Sequence, residues 1–126
     1  YQLIADRVPF LEAVKRVSDL TNLETNLLIL EVRENNIKLL GERAEVGGRA
    51  EEDVEVEYDG EPMNLRYNYR FLIDVLRLLT EDRITLELWD EGRPGVFRGQ
   101  DREDFLYVLM PMKPPEDETE QNTTAE

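Results

Sequence analysis

Neither cysteine nor histidine occurs in the 126 residues. The first absence excludes disulfides, a thiolate nucleophile and zinc–thiolate sites, and it fits a cytoplasmic protein. The second removes the commonest general base and metal ligand, so catalysis would have to rest on carboxylates, lysine, tyrosine or a borrowed metal. Enzymatic activity is therefore disfavoured, and no catalytic residue, metal or cofactor is assigned. Long apolar runs are missing as well. A stretch such as 27–30 falls far short of the roughly 20 residues of a membrane span, and Tyr1-Gln2-Leu3 is no signal peptide. A soluble chain is expected. Positive charge is also scarce, with 15 Lys and Arg against 29 Asp and Glu for a net charge of −14. Most of the excess lies in 42–57, where seven acids face Arg43 and Arg49, and in 114–126, where five acids face no base. So acidic a chain lacks the simple basic patch that counterion release on nucleic acid requires, except where its helices lie.

What is present reads as one domain, long enough to bury roughly two-thirds of its unfolded surface. The first residue is Tyr rather than Met, and the chain is expected to begin inside a longer reading frame or after processing, with neighbouring domains outside it. A short strand over 2–5 leads through Asp6 and Pro9 into a helix over 9–20. There Phe10, Ala13, Val14 and Val17 make the buried stripe, and Glu12, Lys15, Arg16 and Asp19 the wet one. A hairpin follows, 27–33 against 37–42, and Gly47-Gly48 breaks or bulges the next run. From Glu51 onward Val54, Val56 and Tyr58 alternate with Asp53, Glu55 and Glu57, the pattern of a half-solvated antiparallel strand. A turn at Asp59-Gly60 and a strand over 63–67 precede a second helix, capped by Asn68 and running to residue 79. Its buried stripe is Leu72, Val75, Leu76 and Leu79, and its exposed one Arg70, Asp74 and Arg77. Strands over 84–89, 95–98 and 105–110 complete the domain, and the acidic stretch after Pro114-Pro115 is expected to be a disordered tail.

The two helices share a signature. Phe10-Leu11-x-x-Val14-x-Arg16 matches Phe71-Leu72-x-x-Val75-x-Arg77, each preceded by one strand and followed by three. This predicts an α+β domain of two β-α-β-β-β halves, with two helices packed side by side on antiparallel sheets. Lys15, Arg16, Arg70 and Arg77 then share one surface. The stretch the chain is organised around is Tyr107-Val108-Leu109-Met110-Pro111-Met112-Lys113. Periodicity alone reads Phe105, Tyr107 and Leu109 as core, with Met110 finishing the strand. Two flexible, polarisable methionines beside a rigid proline also make an apolar surface able to mould itself to a peptide.

Five pieces in order carry a resemblance. They are Phe10-Leu11-Glu12-Ala13-Val14-Lys15-Arg16-Val17, Gly48-Arg49-Ala50-Glu51-Glu52-Asp53, Tyr58-Asp59-Gly60-Glu61-Pro62, Asn68-x-x-Phe71-Leu72-x-Asp74-Val75-Leu76, and the run from Tyr107 to Lys113. Over residues 2–113 the chain resembles the C-terminal, third domain of the bacterial DNA polymerase III β subunit, the sliding clamp. The resemblance implies a DNA-clamp (processivity) fold over 1–113, with 114–126 left as the acidic tail. It implies a subunit of three like domains and a ring-shaped homodimer around duplex DNA. Lys15, Arg16, Arg70 and Arg77 would face the DNA, and Leu20, Glu51 and Glu52 would meet the partner subunit. It also implies a peptide pocket, shared with the neighbouring domain, that docks the polymerase III α subunit, the clamp loader and other proteins with clamp-binding motifs. This domain's share would be Asn68, Phe71, Gly92, Pro94, Val108, Met110, Pro111, Met112 and Lys113. One departure is that the family ends in Arg-Leu where Lys113-Pro114 stands, which alters the pocket's last wall. The competing expectation is a stand-alone acidic interaction module or DNA mimic, with Asp53, Glu55 and Glu57 imitating phosphates.

Overall fold

Alternation of aliphatic and polar residues over 27–42, broken by two residues that tolerate a turn, makes the first hairpin. Strand β2 (Leu27–Arg33) pairs with β3 (Asn36–Glu42) from Ile29↔Leu40 to Arg33↔Asn36, and Asn35 takes φ 55° at the turn. The computed structural model describes residues 1–21, 25–42, 48–104 and 106–113. The tail expected over 114–126 lies outside the described residues, as do Asn22, Arg43, Gly47 and Phe105.

The remaining elements are β1 (Gln2–Asp6), α1 (Arg7–Asp19), β4 (Arg49–Glu57), β5 (Met63–Asn68), α2 (Tyr69–Leu78), β6 (Arg83–Glu87), β7 (Gly95–Gly99) and β8 (Tyr107–Leu109). Their order is β-α-β-β-β twice. All pairings are antiparallel, in the spatial order β5-β2-β3-β4-β1-β6-β7-β8. The helices pack against each other, α1 over β1, β3 and β4, and α2 over β5 and β8. Arg7 at the start of α1 donates to the Leu76 carbonyl near the end of α2 (3.1 Å), which sets the helices antiparallel.

Registers fix how the halves correspond. Both helices start directly after a strand-end N-cap residue, Asp6 and Asn68, so Phe10, Ala13, Val14 and Val17 of α1 answer to Leu72, Val75 and Leu76 of α2 and its C-cap Leu79, and all eight are buried. The strands follow suit. Ala5 pairs with Ile84 as Tyr67 pairs with Leu28, Leu30 with Leu39 as Leu86 with Phe97, and Lys38 with Asp53 as Val96 with Val108. The shared helix signature is therefore one residue out of step: Phe10 is wholly buried, whereas Phe71 is 57% exposed. A single-residue shift turns a side chain by about 100° on a helix of 3.6 residues per turn, and the caps, not the matching letters, set the phase.

The apolar stripes meet one continuous core in which Tyr67 and Phe97, one from each half of the sheet, stack edge to face at 6.4 Å. Each fully buried Leu or Phe contributes about 1.5–3 kcal/mol. Gly95 is required where β7 crosses Tyr67, since a Cβ there would lie 2.6 Å from the phenol oxygen. Desolvation at that contact pushes the Tyr67 hydroxyl above its ordinary pKa.

The halves differ at one junction. β4 pairs with β1 through Ile4↔Glu57 and Ala5↔Val56. At the corresponding place β8 is only three residues long, and its continuation reaches β5 by one backbone bond, Met112 N–H to the Arg66 carbonyl at 2.7 Å. Pro111, which has no N–H, sits where Val56 donates to the Asn35 carbonyl in the first half.

Candidate binding groove

That loosened junction is a groove of about 470 Å³ between α2 and the chain leaving β8. One wall is Asn68, Phe71, Asp74 and Val75; the other runs from Val108 to Met112. The first wall is set by the cap. Asn68 Oδ1 accepts the Arg70 N–H at 2.9 Å, starting α2 so that Phe71 falls on its outer side. With its oxygen so used, the Asn68 amide NH₂ is the group left to donate to a ligand carbonyl.

The second wall follows from strand alternation. Leu109 is buried, so Val108 and Met110 must face outward, and they are 55% and 64% exposed. Val108 is therefore no core residue. Tyr107 is half-buried against the core, as expected. Three large apolar side chains, Phe71, Val108 and Met110, thus stand open to solvent around one concavity, whereas isolated exposed apolar residues are ordinary on any surface.

Of the nine pocket residues drawn from the sequence, the groove brings together Asn68, Phe71, Val108, Met110, Pro111 and Met112. Gly92 and Pro94 lie instead on the β6–β7 turn. That turn is held by the Asp90 carboxylate, which accepts the Gly92 N–H (2.9 Å), and by Glu91, which accepts the Asn64 N–H of β5 (2.7 Å). Lys113 is exposed just past Met112. Asp74, Val75 and Leu109 also line the groove. Sequence reasoning gave Asp74 to the solvated stripe and the other two to the core, and only the shortness of β8 shows that both classes border an opening.

The basic helix residues divide. Lys15, Arg70 and Arg77 are exposed and make no ion pair among the described residues. Arg16 is drawn to β4, where its guanidinium grips the Glu52 carboxylate with both Nε and Nη2. The pair holds Glu52 below the ordinary carboxylate range and raises Arg16. Glu51 lies 3.9 Å from Lys38, and Leu20, the C-cap of α1, is 55% exposed. Among the described residues no helix is long and apolar enough to cross a membrane, and no group of three or more acidic residues is gathered for a metal ion.

The sequence profile described as "DNA polymerase III beta subunit, C-terminal domain" matches residues 1–113. The chain is 32% identical over 111 residues to the beta sliding clamp of Caulobacter vibrioides, covering 88% of this chain and 30% of that protein. The beta sliding clamp of Pseudomonas putida is 28% identical over the same shares. Among solved structures, the sliding clamp of Bartonella birtlesii bound to griselimycin superposes with a TM-score of 0.83 at 31% identity, covering 90% of this chain and 30% of that one. A Pseudomonas aeruginosa sliding clamp superposes with a TM-score of 0.85 at 27% identity, over 90% and 31%. The chain thus spans about 30% of the length of the relatives it matches.

Proposed function

Because this chain belongs to the family formed by the C-terminal domain of the DNA polymerase III beta subunit, we propose that it serves in a DNA replication processivity factor, a sliding clamp that closes around duplex DNA and tethers proteins to it. In this reading residues 1–113 are the clamp's third domain, and the protein is a scaffold, not an enzyme. Its partners are the polymerase III α subunit, the clamp loader and other proteins carrying a clamp-binding motif. The observation that carries the reading is the groove, in which exposed Phe71, Val108 and Met110 surround the Asn68 amide, the composition of a peptide site with apolar walls and a sparse polar contact. Gly92 and Pro94 belong to its rim, and Lys113 supplies a single point charge for an acidic group, without the fork of an arginine.

Lys15, Arg70 and Arg77 face the duplex, with Arg16 at the edge of that surface. Four cations neutralise at most about four phosphates, too few for a tight static complex, so the grip is topological and the contacts allow sliding. Leu20, Glu51 and Glu52 belong to the surface that meets a second subunit of the homodimer, an apolar residue rimmed by acids. The DNA-mimic alternative is weakened because two of its three acids are engaged: Asp53 accepts from Asn36 at 3.2 Å and Glu57 from Arg83 at 2.8 Å.

The test is a calorimetric titration of the chain with a Trp-free peptide carrying the clamp-binding motif of a polymerase III α subunit. Met110→Ala weakens binding by about 1–2 kcal/mol, as for an interface hot spot; unchanged affinity in the folded variant removes Met110 from the site. The chain alone shows no measurable duplex binding at physiological salt, and a sub-micromolar complex would contradict the topological grip.

A further inference from the structure

Part of the outer face of the first half is made for water: its cross-strand rows Glu31–Lys38–Asp53 and Arg33–Asn36–Glu55 are charged or polar at every position, while the next row, Ile29–Leu40–Glu51, is apolar at two. They are knitted by Asn36 to Asp53 (3.2 Å), Lys38 to Glu51 (3.9 Å) and Arg33 to Asn64 (3.1 Å). The corresponding paired row of the second half is Glu87–Val96–Val108, and alternation carried two residues past it puts Trp89, Pro94 and Met110, outside the paired strands, toward the same face. Only Glu87 stays charged, and it is paired with Arg98 at 2.6 Å. Five positions that are polar where the sheet meets solvent are apolar where it borders the groove. Trp89, at 48% exposed, is the largest of them.

We propose that Trp89 is a ligand contact of the groove, reached over the row Trp89–Pro94–Met110, and that the occupant is the stretch of peptide flanking the docked motif, with an apolar or aromatic side chain of its own. The proposal rests on the peptide-site reading above and extends it from the α2–β8 groove onto the face of the sheet. β8 and β6 are two interstrand spacings apart, roughly 10 Å, which an extended chain covers in about three residues. The contact therefore falls about three residues from the part of the peptide held by Met110. A rigid indole edged by the acids Asp90 and Glu91 offers a broad apolar surface at small entropic cost. The turn that presents it is already anchored to β5 through Glu91, so little ordering remains to be done on binding.

Trp89 is the only tryptophan in the chain, so its emission reports the contact directly. The full chain is titrated to millimolar concentration with two Trp-free peptides bearing the α-subunit motif, one with native flanks and one with glycine flanks. Native flanks are expected to bind roughly tenfold tighter and to shift the emission. Trp89→Ala abolishes that difference while binding the glycine-flanked peptide within twofold of the native chain, and Trp89→Phe restores part of it. Equal binding of both peptides by the native chain with unmoved emission, while Met110→Ala still weakens both, overturns the Trp89 contact and leaves the groove standing. Absence of binding by either peptide overturns both. A Trp89-dependent dimer in sedimentation also overturns the proposal, because a second copy then covers the row.

Discussion

The same backbone frame occurs twice in this molecule, and its two copies treat the seam between helix and last strand in opposite ways. In the first half Arg16 of α1 reaches across to Glu52 of β4, and the space left around Asp6, Pro9, Ala13 and Asp53–Glu55 is about 260 Å³. In the second half the corresponding positions are Leu78 and Tyr107, which can form no such pair, and the matching space around Asn68, Phe71, Val75 and Val108–Met110 is about 470 Å³. Six lining positions correspond one to one. An ion pair and a nine-residue strand close the first seam; a three-residue strand and Pro111 leave the second open. On the peptide-site reading, the second seam is open for a ligand because it lacks that closure and carries Val108 and Met110 where the first has acids.

The comparison breaks most visibly if the halves do not share one core. Phe10→Ala and Leu72→Ala, at corresponding buried positions, should each destabilise the chain by about 3–5 and 2–5 kcal/mol respectively, with a single cooperative denaturant transition in both. Two separate transitions, or loss of only one half's structure, would show the halves to be independent. Next in size is Met110→Glu, which writes the first half's Glu55 into the groove. Peptide binding should fall by at least about 2 kcal/mol through burial of an unpaired charge, with little change in thermal midpoint because the side chain is exposed.

The smallest effect sharpens the other seam. Glu52→Gln removes the ion pair at a solvent-facing site, so the loss is slight and appears as pH dependence. The Glu52 carboxyl is held below its ordinary value of 4.5, so the contribution of the pair is complete above that pH and drains away as pH falls through the lower, folded-state value. Unfolding curves of native and Glu52→Gln chains should therefore differ above pH 4.5 and converge in stronger acid; a difference that grows on acidification would refute the assignment.

Much of this was legible in the residues. Alternation and 3.6-residue spacing specified both helices, the buried stripes and the β-α-β-β-β order, because which face is apolar depends only on local periodicity. The turn chemistry of Asn35 and the cap at Asn68 were equally local. The scarcity of positive charge and the absence of cysteine and histidine narrowed the chemistry for the same reason, since composition is independent of folding. The tertiary structure alone decided the rest. It put Arg16 on Glu52, and Asp74, Val75 and Leu109 on a groove wall, because each of these depends on which strand lies beside which helix. That adjacency is long-range, and no window of sequence contains it.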